Sequence, residues 1–319
     1  MKPAAASDHP LVSIIIPCYN AERFVGEAVR SALEQTYPHR EVIVVNDGST
    51  DGSLKVLQDF GDAIRLETGP NRGGCAARNR GLELATGELL QFHDADDVLH
   101  PEKLCRQVPL AVQHRNAVVY CNYGFIDAEG KPAPANGHLA PLPKDQDSVV
   151  FVLQNSGIST PGPLLWREDV TAIGGFREHL SCAQERDLHV RLACQGLAFR
   201  HLPEELISIR RLADGVSNNF MRVLDQHQDI VAEARRMLEA AGRLTDERLQ
   251  ALAGLLACDA RSYLRHGRPE SALEYFRLAK ELHPAGGIRR AYPKVGRLLH
   301  RLIGPVWTHR LATWMKGSR

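Results

Sequence analysis

Short runs of β-branched and aliphatic residues alternate with helix-sized amphipathic segments between residues 11 and 127. Strands that alternate with helices in this way are typical of a sheet whose strands run parallel and are joined by helical crossovers. The sequence therefore predicts an α/β fold with a mostly parallel sheet flanked by helices. The predicted strands span residues 12–16, 41–46, 64–67, 88–93 and 118–122, and the helices after the first lie near residues 54–60, 75–85 and 101–113.

The remainder of the chain divides into a segment that completes the first domain and a helical appendage. Residues 128–147 contain four prolines, which exclude a long helix or a central strand, so we predict a surface loop there. A strand at 164–167, a helix at 184–195 and two short strands within 198–210 would complete a first domain over residues 1–219. Helical periodicity dominates residues 220–284, where one helix pair resembles a tetratricopeptide repeat. We therefore predict a C-terminal appendage that is all-helical. A basic amphipathic tail follows it over residues 285–319.

Polar side chains cluster directly after three of the predicted strands. Parallel strands end at one edge of a sheet, and ligands of open α/β sheets bind outside that edge. We therefore expect the clusters to meet in one crevice. Such residues also have structural roles in turns and at the starts of helices. Asn20, for example, is predicted to cap the first helix. The clusters are Pro17, Tyr19 and Asn20, then residues 46–51, then residues 93–97.

The chemistry of these clusters favours a metal-assisted nucleotide site. No glycine-rich phosphate-binding motif follows the first strand, which argues against a dinucleotide-binding enzyme or a P-loop NTPase. Mg²⁺ and Mn²⁺ prefer oxygen ligands and keep open positions that a diphosphate can fill. Asp94 and Asp96 lie two residues apart, so one carboxylate would face a nucleotide while the other, or Asp97, faces the metal. Mn²⁺ or Mg²⁺ is the expected cofactor.

Five ordered motifs resemble the nucleotide-sugar half of family 2 inverting glycosyltransferases, which have the GT-A fold of nucleotide-diphospho-sugar transferases. The resemblance covers about residues 10–210. It implies metal-dependent, inverting transfer of one sugar from a nucleotide-diphosphate donor, in the first place a UDP-sugar, to a hydroxyl of a saccharide or lipid-linked saccharide. The motifs are Pro17-Cys18-Tyr19-Asn20, Val45-Asn46-Asp47-Gly48-Ser49-Thr50-Asp51-Gly52, Asn71-Arg72-Gly73, Ala77-Arg78-Asn79-Arg80-Gly81 and Asp94-Ala95-Asp96-Asp97.

The same resemblance assigns roles to individual positions of this sequence. It implies that Tyr19 and Asp47 hold the uracil or an equivalent base. It further implies that Arg78 approaches the diphosphate, Asp94 the ribose or the sugar, and Asp96 the metal. Glu22 resembles a further acid near the base, but an acid in the first turn of a helix is also favoured by the helix dipole alone. The other residues placed around the nucleotide sugar are Pro17, Asn20, Gly48, Ser49, Arg72 and Ala95.

The acceptor half of the resemblance is looser. Gly174-Gly175-Phe176 and residues 184–188 are similar to a family segment in which an acidic pair at the start of a helix supplies the catalytic base. Glu185 takes the position of the base, and Asp187 is the alternative base or a first-turn cap. The family's Arg-x-His segment corresponds to residues 210–212, where Leu212 replaces the histidine that would bind metal, although Ser217 fits. The Gln-x-x-Arg-Trp signature of processive synthases is absent, which indicates a single-addition enzyme.

The end of the chain is electrostatically separate from the rest. The net charge is +1, yet residues 283–319 contain eight Lys or Arg and no Asp or Glu. A basic amphipathic segment with tryptophan suits an anionic membrane surface, while helices folded back on the protein would show the same pattern. No apolar run approaches the roughly 18 residues of a membrane span, and no secretory signal is recognised. We therefore expect a cytoplasmic protein, peripheral on the inner face of the membrane if the tail binds lipid.

Two other functions stay open on the sequence. A nucleotidyltransferase also uses acidic loops on an α/β sheet to bind a nucleotide and a metal. A catalytically inactive sugar-binding or scaffold protein would account for the altered acceptor motif, although Asp94, Asp96 and Glu185 count against it. The expected partners are a nucleotide-sugar donor and a saccharide or lipid-linked acceptor. Nucleic acid is not an expected partner, because basic charge without a recognition motif is weak grounds for it.

Overall fold

The structure is a computed structural model that describes residues 9–134, 146–155, 157–212, 220–284, 286–292, 302, 304–306, 308 and 309. The chain forms two compact units. The first comprises Met1–Ser148 and Gly157–Asn218, and the second comprises Val149–Ser156 and Asn219–Arg319. The short segment before residue 157 therefore groups with the C-terminal helices, and the three-part domain division inferred from the sequence stays a prediction.

One mixed sheet forms the centre of the first unit. In the described ranges its order is β3-β2-β1-β4-β8-β6-β9-β5, with β7 paired to β6. Strands β1, β2, β3 and β4 pair in parallel, while β8 runs antiparallel to both β4 and β6. The strands are β1 (Val12–Cys18), β2 (Arg40–Asp47), β3 (Arg65–Gly69), β4 (Leu89–Phe92), β5 (Val98–Leu99), β6 (Ala117–Ile126), β7 (Pro132–Ala133), β8 (Pro163–Trp166) and β9 (Ala198–Arg210).

Helices cover the sheet and make up the second unit. Their bounds are α1 (Val25–Leu33), α2 (Ser53–Gln58), α3 (Gly74–Leu84), α4 (Lys103–Gln113), α5 (Ser148–Gln154), α6 (Arg167–Ala172), α7 (Gln184–Gln195), α8 (Phe220–Ala240), α9 (Asp246–Arg265), α10 (Pro269–Leu282) and α11 (Gly286–Ala291). None of the helices in the described ranges has the length and apolar character that a membrane crossing requires.

The central strands are buried on both faces of the sheet, as nearly continuous aliphatic runs in a parallel sheet are expected to be. Ile14, Ile16, Val42 and Val44 are buried in the main apolar cluster together with residues of α1 and α4. Ile15 and Ile43 are fully buried on the opposite face. Because β1, β2 and β4 are parallel, their carboxyl ends lie at one edge of the sheet, and the three predicted polar clusters follow from that edge.

The α/β architecture with C-terminal helices is confirmed, and two local predictions are wrong. Asn20 does not cap a helix: α1 begins at Val25 with Phe24 as the cap residue, and Asn20 has a positive φ of 50°. The two short strands predicted within 198–210 are one strand, β9, with register shifts against β6. The described part of the predicted 128–147 loop contains only the two-residue strand β7, and residues 135–145 lie outside the described part of the chain.

The second unit is a helical packing stabilised by buried polar contacts. His227 Nδ1 on α8 lies 2.9 Å from Asp259 Oδ2 on α9, and Tyr275 of α10 donates to the Leu224 carbonyl at 2.9 Å. The start of the predicted basic tail belongs to this packing, because Ala291 and Tyr292 are buried and Arg290 donates to the Gln154 carbonyl at 3.0 Å. Most of the tail beyond residue 292 lies outside the described residues.

Candidate active site

The loops after β1 and β2 are joined by reciprocal hydrogen bonds. The Asn20 N–H donates to Ser49 Oγ at 3.0 Å, and Asn20 Oδ1 accepts from the Thr50 N–H at 2.8 Å. Asparagine tolerates the left-handed conformation that Asn20 adopts, which turns its amide toward the second loop. The Ala21 N–H completes the join by donating to Ser53 Oγ at 2.8 Å. The first two polar clusters are therefore one surface.

Glu22 belongs to the same join. Its carboxylate accepts from the Gly52 N–H at 3.0 Å, and its own N–H donates to Asp51 Oδ2 at 3.1 Å. A Cβ on Gly52 would lie 2.3 Å from Glu22 Oε1, so glycine is needed for the carboxylate to approach the backbone at the start of α2. Glu22 is thus a loop-to-helix contact, and this geometry gives it a structural role beside any contact with a base.

Asp47, at the end of β2, closes the floor of the surface. It is buried, and its two carboxylate oxygens each accept one backbone N–H at 2.8 Å, from Arg72 and from Gly73. Gly48 has a φ of +71°, and a Cβ there would lie 2.5 Å from the Asn71 nitrogen. The loop after β3 therefore crosses directly over the end of β2. This contact holds the loop that carries Arg72, whose side chain is exposed.

Tyr19 projects from this floor. Its side chain is 52% exposed although it directly follows the buried strand β1, which gives the surface an open aromatic face. An aromatic ring beside polar groups is the kind of surface on which a planar base stacks. Pro17 is the penultimate residue of β1, opposite Val45, and Ala95 is buried in the core below, so these two residues shape the edge of the sheet.

Arg78 and Asp94 form the central ion pair of the edge. Arg78 Nη2 lies 2.6 Å from Asp94 Oδ1, with the arginine side chain buried and the carboxylate partly exposed. The Arg78 guanidinium also lies 5.5 Å from the centre of the Phe176 ring, which brings the Gly-Gly-Phe segment to the same place. Within the described residues the buried Arg78 Nε has no hydrogen-bond partner. The pair presents a fixed positive charge next to a carboxylate that retains solvent access.

The carboxyl groups of Asp96 and Asp97, which follow Asp94, both have raised pKa values. Burial, reinforced by the neighbouring Asp94 carboxylate, raises the pKa of Asp96 to about 6. Burial raises the pKa of Asp97 well above its ordinary value, and the Asp94 and Asp96 charges raise it further. A crowded set of oxygen donors whose charge is incompletely balanced is suited to a divalent cation.

The residues present therefore fit Mg²⁺ or Mn²⁺. No group of three or more His, Cys, Asp or Glu in the described ranges is arranged to enclose an ion. Mg²⁺ is commonly held by one or two carboxylates together with substrate phosphates rather than by an all-protein cage. The loop of residues 94–97, which we call the acidic loop, supplies that kind of partial donor set.

Arg210 is a site residue that the sequence analysis did not single out. Its backbone N–H donates to Asp97 Oδ1 at 2.9 Å, and its Nε donates to the Asp96 carbonyl at 2.9 Å. In the sequence, residues 210–212 attracted attention only for the missing histidine. An arginine at the end of a long strand could have indicated the role of Arg210, but Asp96 and Asp97 lie more than one hundred residues away in the chain. Ser217, the other residue of that segment, lies outside the described residues.

Glu185 is located at the amino end of α7. Burial raises the pKa of its carboxyl group, while the Arg78 charge favours the ionised form and the Asp94 charge opposes it. These influences place Glu185 within electrostatic reach of the Arg78–Asp94 pair. The preceding residue Ala183 has a φ of 55°, a conformation that is uncommon for alanine and turns the chain sharply into the helix. The pKa of this acid is thus raised mainly by burial, and the charges of the central ion pair act on it.

Asp187 has a different environment from Glu185. It is 1% exposed, and its carboxylate contacts Arg177 Nη2 at 2.6 Å and Arg191 at 2.7 Å. Arg191 also donates to the carbonyls of Ile173 and Gly175, at 2.9 and 2.8 Å. Asp187 therefore ties α7 to the Gly-Gly-Phe segment, and its oxygens are occupied by two guanidinium groups.

A buried polar network around Lys103 was not predicted from the sequence. Lys103 is fully buried, and its Nζ donates to the side-chain oxygens of Gln91 and Gln107. The amides of these glutamines donate in turn to the Pro161 and Gly162 carbonyls at 2.9 and 3.0 Å. The network thus joins α4 and β4 to the turn that precedes β8.

Sequence comparisons match this region to known proteins. The family model for glycosyl transferase family 2 matches residues 13–170. The chain is 40% identical over 223 residues to the Rickettsia typhi glycosyltransferase RT0329, covering 69% of this chain and 70% of that one. It is 40% identical over 125 residues to a Haemophilus influenzae glycosyltransferase, of which it spans half the length. It is 37% identical over 122 residues to WfgD of Escherichia coli, a UDP-Glc:alpha-D-GlcNAc-diphosphoundecaprenol beta-1,3-glucosyltransferase, covering 38% of this chain and 48% of that one.

Structural comparisons identify the same fold. Staphylococcus aureus TarS 1–349 in complex with UDP-GlcNAc superposes with a TM-score of 0.60 at 17% identity, covering 86% of this chain and 92% of that one. The mannosyltransferase PcManGT of Pyrobaculum calidifontis, in complex with GDP-Man and Mn²⁺, superposes with a TM-score of 0.55 at 20% identity, covering 92% and 90%. At these identities the likeness concerns the fold, which is of the GT-A type.

The environments of the two acids predict unequal effects on stability. Asp187→Asn should lower the free energy of unfolding by about 3–5 kcal/mol, because it leaves the guanidinium groups of the buried Arg191 and the half-buried Arg177 without their charge partner. Glu185→Gln should change it by no more than about 0.5 kcal/mol, since burial already disfavours the ionised carboxylate. Urea unfolding of both variants at pH 7 measures the difference. Equal losses in the two variants would contradict this division of roles.

Proposed function

The chain belongs to glycosyl transferase family 2, and from that premise we propose that it moves one sugar from a nucleotide-diphosphate donor, a UDP-sugar, to a hydroxyl group of an acceptor with inversion. One observation carries the proposal: Arg78 and Asp94 form an ion pair at the carboxyl edge of the sheet, and the charges of both residues act on the pKa of Glu185, which comes from a third element. A cation for the diphosphate and an acid with raised proton affinity are the two groups that such a displacement needs on opposite sides of the sugar carbon.

The donor would occupy the surface formed by the loops after β1, β2 and β4. We propose that the base stacks on the exposed Tyr19 ring above the Asp47 floor, with Asn20, Gly48 and Ser49 shaping the loop and Arg72 beside it. Arg78 faces the diphosphate, and Asp94, which remains partly exposed in its ion pair, accepts hydrogen bonds from the ribose or the sugar. The positive charge of Arg78 is already fixed before the donor arrives, so little reorganisation is needed as charge grows on the leaving group.

Asp96 is proposed to hold the divalent metal, with Asp97 and Asp94 close by in the acidic loop. When bound, Mn²⁺ or Mg²⁺ would neutralise part of the charge of the departing nucleoside diphosphate. Without a cation, a diphosphate brought toward this set of carboxylates would be repelled, since like charges a few ångströms apart cost several kcal/mol at a partly buried site. The raised pKa of Asp96, caused by burial and by Asp94, supports this assignment.

Glu185 is proposed as the catalytic base. An acceptor hydroxyl is too weak an acid to attack at neutral pH, so a carboxylate within hydrogen-bond reach must take its proton as the new bond to the sugar carbon forms. Burial increases the proton affinity of Glu185, which makes it a stronger base than an exposed carboxylate. Asp187 is the poorer candidate because Arg177 and Arg191 occupy its oxygens.

The acceptor is proposed to be a saccharide or a lipid-linked saccharide. WfgD, by its name, glucosylates a sugar carried on diphosphoundecaprenol, and the basic tail of the present chain would favour an anionic membrane surface where such carriers lie. The nucleotidyltransferase and inactive-scaffold alternatives find no specific support in the geometry. Slow hydrolysis of a nucleotide sugar to the nucleoside diphosphate separates all three, because the first alternative releases pyrophosphate and the second releases nothing.

Donor binding is expected to depend on Asp96 and on metal. Asp96→Ala should remove the increase in UDP affinity that Mn²⁺ confers on the unmodified protein, because the acidic loop then lacks its assigned metal ligand. Calorimetric titration of UDP with and without Mn²⁺ measures this increase. Asp62→Ala, which changes an exposed acid in a turn remote from the acidic loop in sequence, is the control and should retain it. An undiminished Mn²⁺ effect in Asp96→Ala would show that the metal ligand is misassigned.

Sugar transfer is expected to depend on Glu185. Glu185→Gln keeps the shape of the side chain but removes its basicity, so transfer should fall by about 10² to 10⁴ while UDP affinity is retained. The raised pKa of Glu185 also places the acidic limb of the pH–rate profile above pH 4.5, the ordinary value for this group, with the rate increasing as the carboxyl loses its proton. Initial rates across pH with a matched Asp187→Asn control measure both effects. Normal transfer by Glu185→Gln would assign the proton to another group.

Membrane attachment is expected to depend on the chain beyond residue 292. Removing residues 293–319 leaves the packed contacts of Arg290 and Tyr292 in place and should abolish binding to anionic liposomes, while hydrolysis of the donor continues. Binding of the full chain should weaken as salt rises, because exposed charges are screened over about 10 Å at 0.1 M salt. Sedimentation with liposomes measures both. Equal sedimentation of the shortened chain would favour a tail that packs on the protein.

A further inference from the structure

Arg210 makes more contacts with the acidic loop than its place in the sequence suggests. It ends β9, and its side chain is 1% exposed. The backbone N–H and the Nε of this one residue contact Asp97 and Asp96, which are consecutive residues of the acidic loop. The main chain and the side chain of Arg210 therefore hold the loop at two neighbouring points.

The far end of the guanidinium is fixed to two other elements. Nη1 donates to the Asp127 carbonyl in the turn after β6 at 2.8 Å, and Nη2 lies 2.5 Å from Glu27 Oε2 in the first turn of α1. The guanidinium also lies over the Phe24 ring, 4.8 Å from its centre. Each side-chain nitrogen of Arg210 thus has a partner, and the acidic loop is joined through one residue to α1 and to the β6–β7 turn.

We propose that Arg210 is a positioning residue that holds Asp96 and Asp97 in the arrangement required to bind the divalent cation. The proposal rests on the metal dependence put forward above. Mg²⁺ demands near-ideal octahedral ligand geometry, so a loop that supplies only a partial donor set must present its oxygens in a fixed place. Crowded carboxylates repel one another and would otherwise move apart. The Arg210 guanidinium on the Asp96 carbonyl and the Arg210 N–H on the Asp97 carboxylate oppose this movement.

Lysine should be a poor replacement for Arg210. A guanidinium presents five N–H donors in a planar fork, whereas an ammonium is a compact point charge. Lys could retain the charge next to Glu27 but not the simultaneous bonds to Asp96, Asp127 and Glu27. Arg210→Lys therefore tests whether the hydrogen-bond geometry of the guanidinium, and not only its positive charge, is required.

Arg115 offers a matched control on the opposite edge of the sheet. It also stacks on an aromatic ring, 4.0 Å from the centre of Trp166, and it also pairs with acids, Glu168 and Asp169. Trp166 pairs with Leu89 at the first residue of β4, whereas the acidic loop follows the last residue of that strand. Loss of Arg115 therefore removes a comparable set of contacts without touching the loop.

The experiment measures the Mn²⁺ concentration that half-saturates its effect on UDP binding, by calorimetry, together with thermal unfolding of the metal-free protein. Arg210→Lys and Arg210→Met should each raise that concentration by about 10-fold to 100-fold, the range seen when residues that orient metal ligands are changed. UDP affinity without metal should stay the same. Arg115→Met should lower the unfolding temperature but leave the Mn²⁺ dependence as in the unmodified protein.

Four results would overturn the proposal or separate it from its premise. Folded Arg210 variants with the original Mn²⁺ dependence, or an Arg115→Met variant with an equal shift, would show that Arg210 has only a general structural role. If Arg210→Met does not fold, Glu27→Gln decides, because Glu27 is 48% exposed and its change removes one anchor of the guanidinium; an unshifted Mn²⁺ dependence there overturns the proposal. If the unmodified protein binds UDP without any Mn²⁺ effect, the proposed metal itself is wrong and the inference falls with it.

Discussion

The repulsion among Asp94, Asp96 and Asp97 is the physical constraint around which the site is arranged. Three carboxyl groups within four residues, partly or fully withdrawn from water, cannot all ionise without compensation, and the raised pKa values of Asp96 and Asp97 follow from their burial and from this crowding. Arg78 approaches the loop from α3 and Arg210 approaches it from β9. Two cations from distant parts of the chain therefore stabilise one short loop. The compensation remains incomplete, which is why the loop is suited to a further cation.

A buried polar network around Lys103 joins α4 and β4 to the turn that precedes β8. Burying a lysine and two glutamines is unfavourable unless their polar atoms are bonded, and here they bond to one another and to the Pro161 and Gly162 carbonyls. Burial lowers the pKa of Lys103 to about 8, which is the expected direction for an ammonium group away from water. Because the network satisfies two carbonyls outside the regular strand β8, it fixes this turn to the core.

The sequence was most informative where local pattern decides structure. The periodicity of apolar residues predicted the parallel strands, and the polar residues after them were found at one edge because parallel strands must end together. The errors share a different cause. Asn20 bonds to a loop thirty residues away instead of capping a helix, and the acidic-loop partners of Arg210 are separated from it by over one hundred residues. Such contacts are set by tertiary packing, which neither spacing nor propensity encodes.

Glu185 and Asp187 show why a motif alone does not identify a base. The two acids lie two residues apart at the start of α7, and either would match an acidic helix start. Asp187 lies between Arg191, which is buried, and Arg177, which is 20% exposed, and these two ion pairs fix α7 to the Gly-Gly-Phe segment. Burial is the main cause of the raised pKa of Glu185, so taking up a proton there relieves an unfavourable charge. The two acids of one helix turn therefore suit different roles, Asp187 as an anchor of the helix and Glu185 as the base that we propose, and only their surroundings distinguish them.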